Sequence, residues 1–447
     1  MAEARAALYA SEETGDMNSK SISEKPTIIP VDATLGDPSR PSTLARLGRK
    51  ILLGQFENLQ HGELRVVEAG AEFRFGKRTE RCKLAVTIWI DHPQLYADAA
   101  FGGTVGAGEA YIRGLWRCDD LTALVRLFVV NRDLMNGMDS RWSLVSLPLL
   151  KMFHVLNRNS KHGSARNIAA HYDLGNELYA LMLDETMAYS CGIFPSPETT
   201  LHQAQIAKFE ATCRKLDLQA SDHLVEIGTG WGGLAIHAAS RYGCRVTTTT
   251  ISQEQHDYTA ERIARAGLGD RITLLLDDYR DLHGRFDKAV SIEMIEAVGA
   301  NYLDTYLAKC SSLLKDNGAM LLQAITIQDQ HYEQARKSVD YIQRFIFPGS
   351  FIPSVATVCD ALSRATDLKL FHLEDIGPHY ARTLQLWRER FFENLATVRK
   401  LGYPDSFIRL WEYYLCYCEG GFAERQLGDV QMLLTKPGCR RAAIAAL

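Results

Sequence analysis

The stretch Glu226-Ile227-Gly228-Thr229-Gly230-Trp231-Gly232-Gly233 comes after the apolar run His223-Leu224-Val225 and leads into a helical pattern that reaches Tyr242. In a strand-to-helix turn, glycines let the backbone approach a ligand while the free N–H groups of the helix start point at it. The pattern downstream of this turn decides the fold. Arg245 to Ile251, Ile272 to Leu276 and Phe286 to Ile292 read as strands, with a helix across Gln255 to Ala266 between the first two. A further helix over Tyr302 to Leu314, ended by Asn317-Gly318, precedes the strand Ala319 to Ile325, and the chain beyond Asp329 reads as mainly helical and aromatic. Strands alternating with helices predict an α/β protein, a doubly wound and mostly parallel Rossmann-like sheet covered on both faces.

The turn bears on the ligand as well. Gly228, Gly230 and Gly233 satisfy the dinucleotide spacing G-x-G-x-x-G, a weak signal alone. A dinucleotide site also places an acid at the end of the second strand, about twenty residues on. That strand ends here Thr249-Thr250-Ile251-Ser252, and the acid is Glu226, two residues before the first glycine. An acid-x-Gly-x-Gly turn opening an alternating sheet favours S-adenosylmethionine (SAM) over a nicotinamide dinucleotide. A purely structural role for the glycines is the bland alternative.

From Asn167 to Pro437 the chain resembles the cyclopropane-fatty-acyl-phospholipid synthase family. The resemblance rests on His171-Tyr172-Asp173, Tyr189-Ser190-Cys191, Val225 to Gly232, Thr250-Ile251-Ser252-Gln253-Glu254-Gln255, Glu293-Met294-Ile295-Glu296-Ala297-Val298-Gly299, Phe347-Pro348-Gly349 and His379-Tyr380-Ala381-Arg382-Thr383-Leu384. It implies a class I SAM methyltransferase fold and transfer of the SAM methyl group to a cis double bond in an acyl chain of a membrane phospholipid. Alkene methylation leaves a carbocation, so the site must exclude water and supply one base near the new methyl. In the family that base is a bound bicarbonate, not a metal.

Position by position, the resemblance assigns Glu296, the Tyr380 hydroxyl, Cys191 and the Ile325 N–H to the bicarbonate pocket. Gln323 stands where many members have His, which makes it an orienting group with no proton relay. Cys418 matches a family cysteine, with a structural role weighed above a catalytic one. His171 caps or orients a lid over SAM, or is a satisfied buried histidine. The turn Glu226, Gly228, Thr229, Gly230, Trp231, Gly232 and Gly233 faces the methionine end of SAM, with Thr250, Ile251 and Gln255 on the ribose and adenine side. Tyr189 and Ser190 are lid contacts, and Tyr279, after Asp278, lies beside the adenine. The late aromatics, Tyr332 to Tyr414, form an acyl tunnel or simply core.

Four segments are expected. Residues 1–42, rich in Ser, Thr, Pro and acids, read as a disordered lead-in, and 43–139 as a small α+β lipid-engaging domain whose run Phe101 to Tyr111 forms a tight glycine loop. Residues 140–166 read as a basic amphipathic linker and 167–447 as the methyltransferase domain with helical acyl-chain insertions. The whole chain of 447 residues carries 50 Lys and Arg against 54 Asp and Glu, which excludes a wholesale nucleic-acid surface. Between Ser140 and Tyr172, however, 33 residues hold no acid and a charge of +5. That segment fits contact with an anionic membrane surface, or a helix packed with a solvated basic face. No apolar run spans a bilayer and no secretory signal is evident, so a cytoplasmic protein peripherally associated with the membrane is expected. The ten cysteines show no disulfide or zinc spacing, and a homodimer is compatible with the sequence. Three rivals stay open: a fatty acyl methyltransferase making methyl or methylene branches, a small-molecule N-methyltransferase, and a silent membrane-binding protein.

Overall fold

The computed structural model describes residues 37–132 and 174–444. The basic stretch 140–166, His171 and most of the lead-in lie outside the described residues. Ser42 caps the first helix, Thr43–Phe56, by accepting from the Ala45 N–H. The next element is a four-stranded sheet, β1 (Gly62–Glu68), β2 (Ala71–Lys77), β3 (Ala85–Ile90) and β4 (Trp116–Cys118), in the order β2-β1-β3-β4. β1 and β2 form an antiparallel hairpin through Ala69 and Gly70, both at positive φ, as a two-residue turn between twisted strands requires.

The expected glycine loop at Phe101 to Tyr111 is instead part of a helix, Gln94–Ile112, kinked at Gly103 (φ 59, ψ -145). Low helix propensity is overridden here by packing. A Cβ on Gly108 would lie 2.5 Å from the Tyr341 ring, so the glycine lets the Tyr341–Phe345 helix dock directly on this one. Tyr111 also packs on Tyr413 at 5.6 Å and its hydroxyl donates to Glu412 at 2.7 Å. The small sheet and the Asp405–Ala423 helix thereby share one hydrophobic core.

The second sheet has seven strands: β5 (His223–Ile227), β6 (Arg245–Thr249), β7 (Ile272–Leu275), β8 (Phe286–Ile292), β9 (Leu314–Ile327), β10 (Lys369–Asp375) and β11 (Leu427–Thr435). Their order is β10-β11-β9-β8-β5-β6-β7. The first five are parallel, and β11 runs antiparallel to β9 and β10. Asn317-Gly318 does not end the preceding helix, which stops at Ser312; both residues lie at the irregular start of β9, where the register jumps from Phe286↔Leu314 to Lys288↔Ala319. β5 and β8 are adjacent while the chain leaves them toward opposite edges. Their carboxyl ends are therefore the switch point where open α/β sheets bind ligands.

Candidate active site

The glycine turn leaves β5 at that switch point. Gly228 and Gly230 take positive φ (97 and 52), and a Cβ on Gly230 would meet nothing within 4 Å, so the backbone there faces open space. Behind it the Glu226 carboxylate accepts from Thr248 Oγ1 at 2.6 Å, and Thr229 and Thr248 hydroxyls lie 2.7 Å apart. Burial pushes the Glu226 carboxyl up to about 8, partly opposed by the Thr248 hydrogen bond. Thr250 Oγ1 donates to Gln255 Oε1 at 2.8 Å. All these groups except Thr248 line one cavity of about 920 Å³, together with Tyr189, Ser190, Trp231, Gly233, Ile251 and Tyr279. Gly232 does not line it; its place is the left-handed cap of the next helix. Trp231 is chiefly packing: 2% exposed, its indole N–H donates to Asn176 at 2.7 Å. Glycine backbone open to the cavity, a buried acid and a paired amide and hydroxyl fit SAM, whose positive sulfonium and amino groups suit a carboxylate.

Along the same cavity lie Glu293, Glu296, Ile325 and Tyr380. Glu293 comes directly after β8 and its backbone N–H donates to the Gln323 carbonyl, in a left-handed conformation (φ 47) that costs a non-glycine residue about 1 kcal/mol. Three elements converge on its side chain. The Cys191 N–H donates to Oε1 at 2.9 Å, Gln323 Nε2 to Oε1 at 2.8 Å, and the Tyr380 hydroxyl to Oε2 at 2.5 Å. Ile325 N–H donates to Glu296 Oε1 at 2.5 Å, while Glu296 Oε2 is enclosed without a partner among the described residues. Burial, then the charge of Glu293, raises Glu296 to about 8, so at neutral pH it is mostly protonated.

Register fixes the backing layer. Gln323 on β9 faces Gln431 on β11 as a cross-strand pair, and Asp429 faces Ile325. Lys215 Nζ donates to Gln431 Oε1 (2.5 Å), Gln431 Nε2 to Gln323 Oε1 (2.9 Å), and Gln323 Nε2 also to Asp429 Oδ2 (2.9 Å). With its oxygen taken by Gln431, the fully buried Gln323 can only turn its amide nitrogen to the acids. Asp429 is driven well above the carboxylate range by burial, then by the charge of Glu293 and a hydrogen bond to it. The buried Lys208, its Nζ 2.6 Å from Ser190 Oγ, is lowered by burial but raised by nearby Glu293.

The donors assigned by resemblance to bicarbonate point instead at carboxylates of the protein. Cys191 and Ile325 have one N–H each, Tyr380 one O–H, and Gln323 two amide hydrogens, all directed at Glu293, Glu296 or Asp429. To take the Cys191, Gln323 and Tyr380 donors, a further anion would have to displace the Glu293 carboxylate. Cys191 is buried, its thiol raised well above the usual range chiefly by burial, and it contributes its N–H and not its sulfur to this cluster. Cys418 lines the cavity from the Asp405–Ala423 helix, and burial raises its thiol too, so it is neutral. Of the late aromatics, Trp387, Phe391 and Trp411 are core, whereas Tyr332, Phe347, Phe351 and Tyr414 reach the cavity. Glu293, Asp429, Gln431 and Lys208 were not singled out from the sequence. A second acid three residues before Glu296 was the available signal for the first; the others come from a strand and helix with no motif of their own.

The sheet order and the glycine turn at its switch point define a SAM-dependent methyltransferase, an enzyme. Solved structures agree: a cyclopropane synthase from Mycobacterium tuberculosis matches with a TM-score of 0.57 at 28% identity, covering 61% of this chain and 98% of its own. A mycolic acid cyclopropane synthase complexed with SAH and CTAB matches with the same TM-score at 29% identity and the same coverage of both chains. The family model described as mycolic acid cyclopropane synthetase matches residues 159–432, and the chain belongs to that family. Among relatives, the tuberculostearic acid methyltransferase of Mycobacterium tuberculosis is 38% identical over 75% of this chain and 80% of its own. The cyclopropane-fatty-acyl-phospholipid synthase of Escherichia coli K12 is 33% identical over 78% and 87%.

Proposed function

We propose that the enzyme methylates a cis double bond in an unsaturated fatty acyl chain of a membrane phospholipid, giving a cyclopropane. One observation carries this reading: a single cavity joins the glycine turn and the carboxylate cluster to apolar walls from the small domain, among them Leu52, Phe56, Val66, Ile88, Leu124 and Phe128. Its volume, about 920 Å³, is near the top of the range for small-molecule sites. SAM bound there supplies an electrophilic methyl group on sulfur. The protein's own work is to hold an alkene against it, keep water from the resulting cation, and accept one proton. Aliphatic and aromatic walls meet the first two needs, and a carboxylate in the same cavity meets the third. Bicarbonate is not needed in this reading, because Glu293 already occupies the Cys191, Gln323 and Tyr380 donors.

A second product is favoured by the 38% identity to a tuberculostearic acid methyltransferase. In that case the cation loses a proton from the new methyl after a hydride shift, leaving a methylene branch, or from a chain carbon, leaving a methyl branch on a chain double bond. Mass spectrometry of lipids from an expressing host separates the two: methylene products hydrogenate under mild conditions to a methyl-branched chain, and ring products resist. A soluble N-methyltransferase would instead methylate an amine with no lipid present.

No described helix is long and apolar enough to cross a membrane. Access to phospholipid is assigned to the basic stretch between Ser140 and Tyr172, whose charge of +5 suits an anionic surface.

A further inference from the structure

We propose that the Glu293 carboxylate is the base of this reaction and that the enzyme therefore needs no bicarbonate. The inference rests on the alkene-methylation reading of the function and names the proton acceptor in it. Glu293 lines the reaction cavity, and no other carboxylate of the cluster is so provided with donors: one each from Cys191, Gln323 and Tyr380. Such a set solvates an anion where water is excluded. Its conformation is held against an unfavourable φ of 47, as at sites where surroundings dictate geometry. The Lys215–Gln431–Gln323 chain fixes the amide that orients it. Glu296 and Asp429 do not compete: Asp429 does not line the cavity, and Glu296 accepts a single hydrogen bond among the described residues, from the Ile325 N–H.

The step balances without another reagent. The alkene π pair forms the new C–C bond as the S–CH3 bond breaks, leaving the cation on the neighbouring carbon. Glu293 takes one proton from the new methyl, and the C–H pair closes the ring, or forms the exocyclic double bond if the cation has moved by hydride shift. Glu293 returns the proton to water when product leaves.

The test uses purified full-length protein, SAM and vesicles of unsaturated phospholipid, in carbon-dioxide-free buffer and with added bicarbonate. Wild-type turnover should be the same within about twofold in both, and Glu293→Gln should lose about 100-fold or more while keeping SAM affinity by calorimetry. Glu293→Gly, which relieves the positive φ, should fold and bind 13C-bicarbonate by NMR where wild type does not, and bicarbonate should restore part of its turnover. Wild-type activity that appears only with bicarbonate would overturn the base assignment alone, as would full turnover in Glu293→Gln. Absence of lipid product under every condition would overturn the underlying reading of function, and the base assignment with it.

Discussion

The Tyr380 hydroxyl donates to Glu293 Oε2 at 2.5 Å, tying the start of the Tyr380–Glu393 helix to the end of β8 inside the cavity. A hydrogen bond to a charged group contributes roughly 1.5–3 kcal/mol. Tyr380→Phe should therefore cut turnover about 10- to 100-fold while leaving SAM affinity unchanged, measured as kcat beside a calorimetric Kd. Equal loss of both would mean that Tyr380 shapes the cofactor site instead.

Gln323 serves three neighbours at once. Gln323→Leu takes from Gln431 the nearer of its two acceptors and deprives Glu293 and Asp429 of a donor, in a fully buried setting. Each orphaned buried group costs roughly 1–3 kcal/mol. A drop of several degrees in melting temperature is expected, and Gln323→His should recover part of it. An unchanged melting temperature would show that the chain of amides carries no stability.

Glu226 gives a pH signature to SAM binding. In the free protein its carboxyl is raised to about 8, so it is mostly protonated at pH 7. The positive groups of SAM favour the ionised form, so binding should release protons below pH 8. Affinity should rise with pH and level off above about 8. Calorimetry in two buffers of different ionisation enthalpy reads the release directly, and Glu226→Gln should abolish it. Proton uptake would contradict the placement.

Much of the fold was legible because buried parallel strands read as apolar runs and the turns between them carry glycine. β11 was not, because Gly428, Asp429 and Gln431 interrupt its apolar pattern, and two of those residues are polar for the sake of the site. The Gln94–Ile112 helix was misread for a complementary reason: its glycines serve close packing, which local propensity cannot show. At the site, the motif around Glu296 was visible, but the three donors meet on Glu293, a convergence that exists only once β8, β9 and the Tyr380–Glu393 helix are assembled.

The basic stretch has a separate test. Reversing Lys151, Arg158 and Lys161 to Glu should weaken binding to anionic vesicles, by about 1 kcal/mol for each cation lost at the surface. Co-sedimentation at several salt concentrations measures it. Unchanged binding would favour a helix packed against the protein.

The central claim, that an acyl alkene is methylated and one proton is then taken from the new methyl, is tested most directly with SAM labelled as CD3 and vesicles of unsaturated phospholipid. Mass spectrometry of the product acyl chains should find two of the three deuteriums retained, whether ring or methylene forms. Product retaining all three, or no labelled lipid at all, would contradict it.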